Sequence, residues 1–373
     1  MSIYWNEKTS GLKPYIPGEQ PKDRKFIKLN TNENPYPPSP NVIAAIQNAT
    51  SETLKLYPDP ACTALREVAA TRYGIRIGQI FAGNGSDEIL AFAFAAFFEA
   101  NNGPVIFPDV TYSFYPVYAN LWSLPCKTIP LKDDFSIDTE PYLEMISQGK
   151  SSGIIFSNPN APTGIVLSLE KLKKIAEVSE QNKRVLILDE AYIAFADKAY
   201  SMLPFLNDFP NILIIRTFSK EASLAGLRAG LAFGSEELME GLCRIRDSFN
   251  SYTLDRLALA GATAALNDPS YYDEINRRII TTRHRVSAGL KDLGFRVLPS
   301  QANFIFAAPP VESGINGSEF FAALRERGIL VRHFDKPRIT EFLRISIGND
   351  EDMDTFLAEC EGIMKREKRK GKN

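Results

Sequence analysis

Five short apolar runs alternate with helical stretches through the middle of this chain, and that alternation leaves very few folds open. The runs are PVIF near Val105, GIIF near Ile155, VLILD near Ile187, ILIIR near Ile214 and LAFG near Leu231. Continuous apolar runs of this length read as strands buried on both faces, since half-exposed strands alternate apolar with polar. Between them lie amphipathic segments such as SLEKLKKIAEVSEQN, where Leu169, Leu172, Ile175, Ala176 and Val178 share one helix face. Buried strands separated by helices imply an α/β unit with a mostly parallel, doubly wound sheet. Such sheets bind ligands beyond the carboxyl ends of their strands. The residues that follow each run are therefore the ones to search for chemistry.

At 373 residues the chain exceeds one typical core. Its texture changes after about Pro269. A long charged helix, EINRRIITTRHRVSAGLKDLG, leads into FRVLPSQANFIFAAPP, GILVRHF and FLRISIG, the strands of a smaller α+β unit. A final helix is expected through DMDTFLAECEGIMKR. The first stretch, to about Asn41, is rich in Pro and Asn and reads as an extended arm. The expected division is a large domain over 46–270 and a small one built from both ends, 1–45 and 271–373.

Several function classes are disfavoured. Lys plus Arg number 43 and Asp plus Glu 45, a net charge of −2, so nothing points to nucleic acid or an acidic membrane. The basic tail KREKRKGKN reads as a frayed, solubilising end. ILAFAFAAFF is too short to span a bilayer and reads as a buried helix. Cys62, Cys126, Cys243 and Cys360 form no CxxC pair and no zinc spacing. With no secretory leader, they are expected to be reduced thiols of a cytoplasmic protein. With only His284 and His333, a histidine metal site or a Ser-His-Asp triad has little to draw on. No metal is expected, and a lysine is the more economical base.

Lys220 is that lysine. It sits in RTFSKEASLAGLRAG, just past the run Ile212 to Ile215, with Ser219 before it and Arg228 eight positions on. VLILDEAY ends another run on Asp189, with Tyr192 three residues later. Together they imply pyridoxal phosphate chemistry: a lysine for the Schiff base, an aspartate that keeps the ring nitrogen protonated, and a hydroxyl–arginine pair for the phosphate. GNGSDEILAFAF opens a helix with Gly85, Ser86 and Asp87, whose free N–H groups suit a phosphate. A plain Ser/Asp helix cap would use the same residues. Tyr112, in PDVTYSFYPVY, could stack on a flat ring, while Tyr115 and Tyr118 read as core. SNPNAPTG is a rigid strand-end loop whose asparagine could donate to a phenolic oxygen, or a simple turn. Arg332 and Arg344 are flanked by apolar strand residues and suit carboxylate or phosphate capture.

In this order, KLNTNENPYPPSP, GNGSDE, SNPNAPTG, VLILDEAYIAF, RTFSKEASLAGLRAG and FLRISIG resemble the fold-type I pyridoxal-phosphate-dependent aminotransferases, and among them the histidinol-phosphate group. The resemblance spans Tyr15 to Gly348. It implies that Lys220 carries the cofactor and moves the proton, that Asp189 pairs with the ring nitrogen, that Tyr192 holds the phenolic oxygen and that Tyr112 stacks on the ring. Ser86, Asp87, Ser219 and Arg228 would surround the phosphate, joined by Tyr57 from a second subunit, which makes a homodimer with shared sites necessary. Arg344 would clamp a carboxylate. Arg332 and Tyr15 would hold histidinol phosphate, Arg332 at its phosphate, and Asn32 would line the entrance through the arm. The substrates would be a small amino donor and a 2-oxo acid. One position departs from the pattern: Ala161 stands where the group has asparagine before PTG, so Asn160 is assigned to the phenolic oxygen in its place. An aromatic-amino-acid transaminase and a decarboxylase of a phosphorylated amino acid remain as alternative readings.

Overall fold

The computed structural model describes residues 3–21 and 25–370. Seven strands form one sheet in the spatial order Ile80–Gly83, Gly230–Phe233, Ile212–Thr217, Val185–Asp189, Gly153–Ser157, Val105–Pro108 and Cys126–Ile129. All run parallel except Gly230–Phe233, which is antiparallel to both its neighbours. This is the mostly parallel α/β sheet that the alternation implies. Ile80–Gly83 and Cys126–Ile129 escape the sequence reading. The second is an edge strand whose first three residues are exposed, so no apolar run marks it.

Side chains alternate between two cores because strand residues point to opposite faces. Ile212, Ile214, Leu186 and Leu188 enter one core, while Leu213, Ile215 and Ile187 enter the other. Helices cover both faces. Leu169–Gln181 buries Leu172, Ile175 and Ala176 on one side, and Gly85–Phe97 buries Ile89, Leu90, Phe92 and Phe94 on the other. Among the described residues no helix is long and apolar enough to cross a membrane.

A second sheet of four antiparallel strands has the order Arg332–His333, Leu343–Ser346, Phe304–Ala308, Arg296–Val297 and its own core. The long helix Pro269–Asp292 and the last helix Asp350–Lys370 pack on it. The N-terminal segment joins it too. Ile27–Lys28 pairs in parallel with Ile329–Leu330, and Leu29 enters the same core. The basic tail begins inside the last helix, and its final residues 371–373 lie outside those described.

Candidate active site

Strand direction gathers the site. Ser157, Asp189 and Thr217 are the last residues of three parallel strands. The reversed strand starts where its parallel neighbours end, so Arg228, two residues before it, arrives at the same edge. Ile80–Gly83 ends there as well and delivers the helix Gly85–Phe97. Two glycines permit the crowding. Gly85 has φ +76°, and a Cβ on it would lie 2.7 Å from the Arg228 guanidinium. A Cβ on Gly230 would lie 2.7 Å from the carbonyl carbon of Gly85.

Asp189 forms the floor and is 4% exposed. Tyr115 Oη donates to its Oδ2 at 3.0 Å and the Ala191 N–H to its Oδ1 at 3.2 Å. Among the described residues no cationic side chain forms an ion pair with it. Burial therefore pushes its pKa up to about 6. A buried carboxylate held by two donors and no cation is a seat for a positively charged N–H.

Lys220 lines the same pocket and donates from Nζ to the Thr31 carbonyl at 3.0 Å. Burial, with Arg344 and Arg228 nearby, lowers its pKa to about 8. Its amine is thus neutral in a range where surface lysines are charged. In cofactor-free protein, competitive acylation read by mass spectrometry should show Lys220 reactivity rising with pH and levelling above about 8, while surface lysines keep climbing. A climb parallel to the surface lysines would contradict the lowered value.

The far wall is built for an anion. The helix Gly85–Phe97 has no side-chain cap bond at Asn84, so the Ser/Asp cap alternative is not realised and its first-turn amides remain available. Arg228 donates to Ser219 Oγ at 3.3 Å and to Asp87 Oδ2 at 3.0 Å. Thr217 Oγ1 donates to Ser219 Oγ at 3.0 Å. Tyr112 and Tyr118 both donate to Asp87 Oδ1, at 2.9 and 3.3 Å.

Two arginines complete the pocket. Arg332 and Arg344 are direct cross-strand partners, which puts like charges side by side, an unfavourable pairing without an anion. Arg344 donates to the Asn30 carbonyl at 2.7 Å, but among the described residues its buried Nε has no partner. Arg332 donates to the Ile16 carbonyl at 3.4 Å. Both guanidiniums lie over the Phe334 ring.

Ser86, Asp87, Tyr112, Asp189, Tyr192, Ser219, Lys220, Arg228, Tyr15, Asn32, Arg332 and Arg344 all line this one pocket. Asn160 is not among the residues that line it. Its amide donates to the Val110 carbonyl and Thr163 Oγ1 and accepts from Thr111 Oγ1, so both its N–H groups are taken, one by the segment after the strand Val105–Pro108 and one within its own loop. Asn32 is not at an entrance. It is 1% exposed, donates to Tyr192 Oη at 3.0 Å and accepts from Ser346. Tyr57 lies outside this chain's pocket, 78% exposed and stacked on Tyr252. Tyr115 and Tyr118 are buried as core rings, yet their hydroxyls serve Asp189 and Asp87, a role the sequence reading misses. Also unforeseen is Thr31, whose backbone carbonyl has no sequence signature.

The arrangement suits a flat, phosphorylated ring with a basic nitrogen: an amine to bind it, an uncompensated carboxylate for the nitrogen, a tyrosine on its flank and an anion cradle. Comparison with known proteins agrees. The family model for aminotransferase class I and II matches residues 24–359. A histidinol-phosphate aminotransferase of Clostridium acetobutylicum is 52% identical over 96% of this chain and 98% of its own length. One from Acetobacter pasteurianus is 48% identical over 98% of this chain and 99% of its own. Among solved structures, the histidinol-phosphate aminotransferase of Sinorhizobium meliloti in complex with pyridoxal-5'-phosphate superposes with TM-score 0.88 at 26% identity, covering 98% of this chain and 99% of that one.

Proposed function

The chain belongs to the class I and II aminotransferases, and from that premise we propose that it transfers the amino group of L-histidinol phosphate to 2-oxoglutarate with pyridoxal phosphate bound at Lys220, a step of histidine biosynthesis. The observation that carries the substrate is the Arg332–Arg344 pair, set in one pocket with Lys220 and Asp189. A phosphorylated amine needs one strong anion site, and the 2-oxo acid that follows it needs a carboxylate clamp.

Bound here, pyridoxal phosphate supplies an aldehyde for the Lys220 amine and a conjugated ring that stores the electron pair left when the substrate carbon loses its proton. Lys220 Nζ, neutral above about pH 8, would hold the cofactor and, as a free amine, would be the base that carries that proton. Asp189 keeps positive charge on the ring nitrogen, and Tyr115 fixes the carboxylate's orientation. Tyr192, oriented by Asn32, addresses the phenolic oxygen without help from Asn160. Tyr112 flanks the ring. The Ser86 and Asp87 amides, Ser219 and Arg228 take the phosphate. Asp87 shares Arg228 with that phosphate and anchors Tyr112 and Tyr118.

The test is a pair of substitutions. Losing a charge-assisted contact in a desolvated site costs roughly 2–5 kcal/mol, about 30- to 5,000-fold. Arg332→Ala should lower kcat/KM for histidinol phosphate by that order and affect 2-oxoglutarate much less. Arg344→Ala should weigh more on 2-oxoglutarate and glutamate. Equal losses on phosphorylated and unphosphorylated amines in Arg332→Ala would remove the phosphate role and favour an aromatic substrate.

We further read the protein as a cytoplasmic homodimer in which Tyr57 completes the partner's phosphate site. Its exposed ring, stacked on exposed Tyr252 and following exposed Leu54 and Leu56 in the chain, supports this. Mixing Lys220→Ala with Tyr57→Phe subunits should rebuild one intact site per heterodimer. Activity no higher than that of the parent homodimers, with subunit exchange confirmed, would place Tyr57 in its own chain's site or in none.

A further inference from the structure

A second cavity, of about 390 Å³, lies behind the same strand ends. That size falls within the range of small-molecule sites, roughly 300–1,000 Å³. Because neighbouring strand residues point to opposite faces, the residues beside the active-site groups turn toward it. Thr217 lines the first pocket and Arg216 the second. Lys220 lines the first and Glu221 the second. Glu190, next to Asp189, has a fully buried side chain and accepts two bonds from Arg216, at 3.1 and 2.9 Å, while Ser201 Oγ accepts a third.

That ion pair leaves Glu221 without a hydrogen-bonding partner among the described residues. Burial raises its pKa, with Glu190 and Asp273 acting in the same direction and the nearby charges of Arg216 and Arg72 against it. Facing the same space is Asn276, 7% exposed, whose Oδ1 has no partner among the described residues. Tyr73, Phe218 and Tyr272 supply aromatic wall. Arg277 is paired with Glu274. Arg72 and Lys198 are exposed and form no ion pair among the described residues.

We propose that this cavity is a second ligand site, for a small planar organic cation of the amidinium or imidazolium type that carries an acidic group at its far end. The cationic end donates to Glu221 and Asn276 Oδ1, which are acceptors lacking donors. The ring lies against aromatic wall, an arrangement that favours cations. The acidic end meets Arg72 and Lys198. The cavity is formed by the carboxyl ends of the helices Thr63–Tyr73 and Arg256–Leu266, while Tyr57 accepts from Arg256 at the opposite end.

Titration calorimetry of the cofactor-loaded protein tests this with 4-amidinobenzoate and benzamidine. Neither carries an amine on a hydrogen-bearing carbon, so neither can be transaminated. Saturable millimolar binding of 4-amidinobenzoate, one per chain, is expected, with benzamidine weaker. Glu221→Gln should weaken both about tenfold or more. Asn276→Asp, which adds a carboxylate without adding bulk, should tighten both. Arg72→Gln should weaken 4-amidinobenzoate alone. Arg344→Gln should leave both unchanged, since that arginine belongs to the other pocket. No saturation in the millimolar range, binding indifferent to Glu221→Gln in a variant shown folded by circular dichroism, or binding lost in Arg344→Gln would each overturn the proposal.

Discussion

Lys220→Ala should lower transamination turnover by about 10⁴-fold or more, since it removes both the covalent anchor and the general base. The cradle of Ser86, Asp87, Ser219 and Arg228 does not depend on the lysine, so the variant should still bind pyridoxal phosphate, now reversibly. Two measurements separate these effects. Single-turnover kinetics with histidinol phosphate reads the chemistry. Borohydride reduction followed by peptide mapping reads the anchor: the parent should carry label in TFSKEASLAGLR and the variant none. Turnover within tenfold of the parent, or label on another lysine, would remove Lys220 from the centre of the mechanism.

Asp189→Asn should cost turnover about 10³-fold, because an amide cannot hold charge on the ring nitrogen. Its effect on stability has the opposite sign. Asp189 is raised from an ordinary 3.8 to about 6 in the native state. A carboxyl raised in this way favours folding when protonated. Its contribution is present at low pH and is lost as pH rises toward and through 6. At neutral pH, without cofactor, it destabilises the fold by at most about 3 kcal/mol. The cofactor-free variant should thus be more resistant to urea than the parent at pH 7, and the gap should close by pH 4. The amide oxygen can still accept from Tyr115. A residue with a merely structural role would lose stability and turnover together, so a destabilised apo-variant would refute this account.

The parts of the site that are legible in the sequence are those tied to strand ends. Apolar runs mark the strands, and the parallel-sheet rule then singles out Asp189 and Lys220 before any contact is known. GNGSDE is legible for the same reason, as a helix start at that edge. Tyr115 is not, because nothing in one dimension says whether a buried ring turns its hydroxyl toward a carboxylate 74 positions away. For Asn160 the sequence shows the right chemistry but not where its two N–H groups go, one to the Val110 carbonyl and one to Thr163 Oγ1. Both arginines are visible in the sequence, whereas their pairing is a matter of register, which two short strands joined through residues 334–342 do not announce.

That register has a consequence for evolution. The spacing between Arg332 and Arg344 is set by backbone pairing rather than by the reach of either side chain. Together with Lys220 they form a ruler against which a substrate's length is measured, and its graduations are peptide units. A one-residue slip in that pairing would slide the scale by a whole division and turn one arginine to the opposite face. A change of substrate range by this route would come from the pairing of two strands, with every catalytic side chain unchanged.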